Sequence, residues 1–186
     1  MSSLKALVAV FDEEIEYLRW SEGIMQEKTG IERRNAVRFP FKYPIRHHLE
    51  GVKILNHSLC DNLSLSGILF HSMIAYQKDQ IVEILIDVSG EDRTITLKTI
   101  VVWTRPDPLF QKQYFVGGQF KNVSPEFISP LMEMAIRDLT LSIERTPSNI
   151  WLYRYRGDIR KAKGDEEGSR SDYDKAESLK RKPSRA

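Results

Sequence analysis

A single cysteine, Cys60, is all that the 186 residues contain. No internal disulfide can form, so the fold has to rest on a buried core, as is usual where thiols stay reduced. The cytoplasm is the expected compartment. Long apolar runs are equally scarce: Leu4 to Phe11 is followed at once by Asp12, Glu13 and Glu14. Nothing approaches the roughly 20 apolar residues that a membrane helix needs, so neither a span nor a signal peptide is expected. Charge of one sign is missing too, with 28 Lys and Arg against 26 Asp and Glu, a net of +2. Residues 154–186 hold eleven bases and seven acids, which leaves residues 1–153 at −2. Nucleic-acid binding needs many phosphate contacts and is not expected of such a chain. A small anion can still be caught by a local basic cluster.

What is present begins with Leu4, Leu7, Val8, Phe11, Ile15 and Leu18, spaced by three and four with acids between them. That is the pattern of an amphipathic helix, and residues 1–28 are read as one. Thr29-Gly30 then opens a loop over 29–40 that carries Arg33, Arg34 and Arg38 and ends at Phe39-Pro40.

From Phe41 the apolar period changes to two, as in Val82, Ile84, Ile86, Val88 and in Ile95, Leu97, Thr99, Val101, Trp103. Half-buried strands show this alternation. Turn residues at Glu50-Gly51, Ser66-Gly67, Ser89-Gly90 and Pro106-Asp107-Pro108 divide the run into six strands. Their expected ranges are 41–49, 52–61, 67–73, 80–89, 93–105 and 113–121. Short, evenly spaced strands without helices between them favour an antiparallel barrel or sandwich. By parity Trp103 points inward; Trp20 and Trp151 read as packing residues.

Ser124-Pro125 and Ser129-Pro130 each resemble an N-cap followed by proline at the first helical position. A helix over about 130–145 follows, with Leu131, Met134 or Ala135, and Leu139 toward the barrel, and Pro147 ends it. Helices over 149–163 and 166–180 break at Gly164-Asp165, before a basic end. Gly157, Gly164-Asp165, Ser169, Tyr173 and Ala176 resemble one tetratricopeptide-type repeat. The expected domains are thus 1–28, 29–146 and 147–186.

Two short signals carry chemistry. Arg34 and Arg38 bracket Asn35-Ala36-Val37, and Asn62-Leu63-Ser64-Leu65-Ser66-Gly67 occupies the turn between the second and third strands. Singly, each has a plain reading, as a solvated loop or as an Asx turn closed by glycine. In this order, around the opening strands of a six-stranded unit, they resemble the PilZ domain family. Its signature is Arg-x-x-x-Arg followed by Asp/Asn-x-Ser-x-x-Gly. The stretch Tyr114-Phe-Val-Gly117-Gly-Gln-Phe120 is similar to the family's closing strand, and the resemblance covers residues 32–140.

The resemblance implies a mainly β fold, a six-stranded antiparallel PilZ-type barrel, here with an N-terminal amphipathic helix and C-terminal helices. It also implies a ligand, cyclic di-GMP, and an effector that relays the messenger level to a downstream protein in motility, adhesion or exopolysaccharide control. No further cofactor is expected, and a homodimer is compatible with the sequence. The implied ligand residues are Arg33, Arg34, Arg38, Asn62, Ser64 and Gly67. Arginine's fork of donors matches a phosphate or guanine O6 and N7. The alternative is a nucleotide-independent adaptor of the same fold. An enzyme is not expected: His57, Cys60 and Asp61 lack further converging metal ligands, and no activated nucleophile or phosphate loop is visible.

Overall fold

The computed structural model describes residues 38–180. The amphipathic helix expected at 1–28, Arg33, Arg34 and the basic end therefore lie outside the described residues.

Seven strands come first: β1 (Arg38–Pro40), β2 (Pro44–Leu49), β3 (Asn56–Ser64), β4 (Gly67–Ser72), β5 (Ile81–Asp87), β6 (Thr94–Pro106) and β7 (Tyr114–Phe120). Three helices follow, α1 (Pro125–Arg145), α2 (Ile150–Lys163) and α3 (Glu166–Lys180). The sheet runs β1-β3-β2-β5-β6-β7-β4, every pair antiparallel, and β4 returns to pair with β3. Six strands therefore close into a barrel and β1 lies outside it. Closure satisfies the backbone groups that an open sheet would leave at its edges.

The alternation in β5 and β6 sends Val82, Ile84, Ile86, Ile95, Leu97 and Val101 into one core with Leu63, Ile68, Phe70 and Val116. The expected single strand over 41–49 is split. Pro40 and Pro44 bracket residues 41–43, and proline has no N–H for a ladder, so the chain kinks there and pairs with β3 in two pieces. Phe41 N–H to Asp61 O (3.0 Å) and Cys60 N–H to Tyr43 O (2.8 Å) carry the pairing across the kink. As a result, Arg38 belongs to a strand rather than to the expected loop. The next strand also starts later than expected, at Asn56, because residues 50–55 form a longer exposed turn.

Helix α1 starts at Pro125 and not near Pro130. Ser124 is extended, and Pro125, which needs no N–H partner, opens the first turn. Pro130 sits within the helix. Ile128, Leu131, Met132, Met134, Ala135 and Leu139 pack on the barrel core. Helices α2 and α3 fall where two helices were expected and pack on each other as a hairpin, with Gly157, Ser169 and Ala176 buried, and Ile143 of α1 clusters with Tyr153 and Ala176. No helix among the described residues is long and apolar enough to cross a membrane.

Candidate functional site

The expected ligand-reading turn joins β3 to β4. Ser64 is buried at its start. Its Oγ accepts the N–H groups of Ser66 (3.3 Å) and Gly67 (3.1 Å) and lies 3.2 Å from Gly67 O as a donor. That hydroxyl is spent inside the turn. Gly67 is required by a close approach, since a Cβ there would stand 2.4 Å from Gly118 O of β7. Phe120 N–H donates to Ser66 O (2.9 Å), tying the turn to the end of β7.

Arg38 arrives from the other side. The β1–β3 register sets it opposite Ser64, and its Nη1 donates to Asn62 Oδ1 at 3.2 Å. The two halves of the motif, 24 residues apart in sequence, thus meet through a guanidinium and an amide. Of the six expected site residues, Arg38, Asn62, Ser64 and Gly67 lie together; Arg33 and Arg34 are outside the described residues.

Partners in successive ladders extend this face. Pro40 pairs with Asn62, Asn62 with Leu69, Leu69 with Gly117 and Gly117 with Trp103. Directly opposed residues share a face of the sheet, so Trp103 lies on the outer face beside the turn. This corrects the inward placement expected from parity. A bulge between Val101 and Trp103 shifts the β6–β7 register by one residue, and such a slip sends the following side chains to the opposite face. Arg105 holds its guanidinium 5.2 Å from the centre of the Trp103 ring. The sequence contained a signal for this arrangement in Gly117-Gly118, paired glycines in a strand that leave room for something large across the ladder.

Next to Asn62, Asp61 is the extra residue where β3 slips against β4. Its buried carboxylate accepts from Lys42 Nζ (2.5 Å) and lies 3.2 Å from His71 Nε2. His71 Nδ1 in turn faces Asp107 Oδ2 at 3.5 Å.

The side chains gathered on this face suit recognition. Guanidinium groups, an amide and an indole can grip phosphate and purine. Among the described residues no group of His, Cys, Asp and Glu could hold a metal ion. Cys60 is fully buried, and burial pushes its thiol pKa well up, which keeps it from forming a nucleophilic thiolate.

A six-stranded barrel with a serine–glycine turn and an arginine on its lead strand defines a class of small closed β domain. Residues 32–137 match the PilZ domain model, and the chain belongs to that family. No curated protein matches it. Among solved structures it is similar to the inhibitor of motility (MotI/DgrA) of Bacillus subtilis, at 18% identity and TM-score 0.45, over 59% of this chain and 53% of that one. It is also similar to the PilZ domain of YcgR from Escherichia coli, solved with c-di-GMP, at 14% identity and TM-score 0.49, covering 62% and 98%. The K. pneumonia MrkH–c-di-GMP complex is 16% identical with TM-score 0.44, covering 62% and 55%. The chain spans about half the length of the motility inhibitor and of MrkH.

Proposed function

We propose that this protein is a receptor for cyclic di-GMP that passes the level of the messenger to a protein partner. The observation that carries the reading is the Arg38–Asn62 hydrogen bond, which joins the last arginine of the Arg-x-x-x-Arg spacing to the Asn-x-Ser-x-x-Gly turn. Arg33, Arg34 and Arg38 supply forked donors for phosphate and guanine. Asn62 orients Arg38, while Ser64 and Gly67 shape the turn. Trp103, on the same face, offers a flat ring against which a base can stack. Binding is the whole activity in this reading, and the ligand leaves unchanged.

Titration calorimetry with cyclic di-GMP tests it. The full chain should bind, and Arg34→Ala or Arg38→Ala should each weaken binding by about 1.5–3 kcal/mol, the scale of hydrogen bonds to charged groups. A folded protein that gives no heat, or arginine variants of unchanged affinity, would refute the receptor reading.

A further inference from the structure

Strands β4, β7 and β6 end side by side, since Tyr114 pairs with both Ser72 and Pro106. The 73–80 and 107–113 loops therefore leave the barrel at the same end. Both are built turns. Ser72 Oγ accepts the Ile74 N–H (2.9 Å), and buried Tyr76 anchors the first loop in the core. Asp107 Oδ1 accepts the Leu109 and Phe110 N–H groups (2.8 and 3.3 Å) in the second. Yet the side chains at their tips face water: Leu109 is 78% exposed, Met73 72%, Phe110 51% and Ile74 39%.

The exposed charges around these tips are mostly basic. Lys78, Arg105 and Lys112 are exposed, whereas Asp107 is buried and occupied by the turn and by His71. One exposed acid, Asp79, stands beside Lys78, its N–H bonded to Val101 O, so the exposed charges here are three bases against one acid. Together the exposed apolar side chains of the two turns make an apolar wedge at this end of the barrel. A wedge with a cationic rim supplies the two signals, apolar insertion and attraction to acidic headgroups, that reversible membrane binding requires.

We propose that this end of the barrel docks on an anionic lipid surface, inserting Met73, Ile74, Leu109 and Phe110 while Lys78, Arg105 and Lys112 meet the headgroups. The inference does not rest on the receptor reading, although Arg105 also lies over Trp103, and it is tested without nucleotide. The full chain is sedimented with phosphatidylcholine vesicles, either pure or containing about one-third phosphatidylglycerol. Binding should require the acidic lipid. Leu109→Ser combined with Phe110→Ser should lower the partition by about tenfold or more, Met73→Ser on the other loop should lower it less, and Lys112→Glu should weaken it on acidic vesicles only. These side chains are exposed, so thermal unfolding of the variants should match wild type. Absence of wild-type binding, equal binding to pure phosphatidylcholine, or undiminished binding of the Leu109/Phe110 variant would each overturn the proposal. So would a wild type that ignores vesicles but self-associates in a way the variant does not, which would assign the wedge to a protein interface.

Discussion

Trp103 lies across the bare backbone of Gly117, so closely that a Cβ on the glycine would stand 2.3 Å from the indole ring. Gly117→Ala must push the indole off its seat. Overpacking of this kind costs about 1–3 kcal/mol. Urea unfolding should show that loss, and the Trp103 indole N–H resonance should move in a proton–nitrogen NMR spectrum. An alanine variant with wild-type stability and an unmoved resonance would contradict the geometry.

The same relationship bears on the ligand. If a base stacks on the outer face, Trp103→Ala should lower cyclic di-GMP affinity by about 1–3 kcal/mol, the range for base–aromatic stacking. Trp151→Ala, on α2, should leave it unchanged. Equal effects from the two tryptophans would remove Trp103 from the site.

Ser64 should behave as a residue that shapes the turn. Its buried hydroxyl satisfies two backbone N–H groups, so Ser64→Ala should cost about 1–3 kcal/mol of stability. Its effect on affinity should be smaller than that of Arg38→Ala. Calorimetry and chemical denaturation on the two variants compare these quantities directly, and a Ser64 variant that is fully stable but unable to bind would point to direct contact instead.

Inside the barrel, His47 is fully buried against Phe70 and Tyr76, with Nδ1 2.8 Å from the Tyr76 hydroxyl and no hydrogen-bond partner for Nε2. Burial, helped by His48 and His57, lowers its pKa from 6.5 to about 4. Between those values the unfolded chain binds more protons than the folded one, so stability falls as the pH drops through this window. The full loss is about 3 kcal/mol, reached below pH ~4, and none of it is felt above pH ~6.5. Urea midpoints measured from pH 7 to pH 4 should decline, and His47→Gln should remove this part of the slope. Parallel profiles for the two proteins would show that His47 does not carry the effect.

Asp172 of α3 ties the two helices of the hairpin together, and its partner Arg156 reaches α1. It accepts from Arg156 Nη2 (2.7 Å) and Arg160 Nη1 (2.9 Å), while Arg156 Nη1 also donates to Thr140 of α1 (2.9 Å). Asp172→Ala leaves two arginines without their buried carboxylate, a loss of about 3–5 kcal/mol in comparable sites. The hairpin should open first. Hydrogen exchange should quicken across α2 and α3 while β5 and β6 remain protected; uniform quickening would mean that barrel and hairpin unfold as one unit.

Much of this could be read along the chain because it depends on neighbours in sequence. Alternation placed β5 and β6, Gly164 marked the break between α2 and α3, and the motif halves around Arg38 and Ser64 were visible as spacings. The alternation of β6 misled at Trp103, since a bulge is a relation between two strands and its mark, Gly117-Gly118, lies in the partner strand β7. Pro130 misled in the same way: a proline after a serine reads locally as a helix start, yet packing of Ile128 beneath it draws the earlier turn into the helix.

From the order of residues alone come the strand and helix types, the chemistry of the arginines and the turn at Ser66-Gly67, because each follows from local backbone and side-chain preferences. Closure of β4 onto β7, the approach of Gly67 to Gly118, the Arg38–Asn62 bond, the outward turn of Trp103 and the sharing of one barrel end by Met73 and Leu109 were decided only by tertiary structure. Each joins residues far apart in sequence, and no local preference specifies which distant groups will meet.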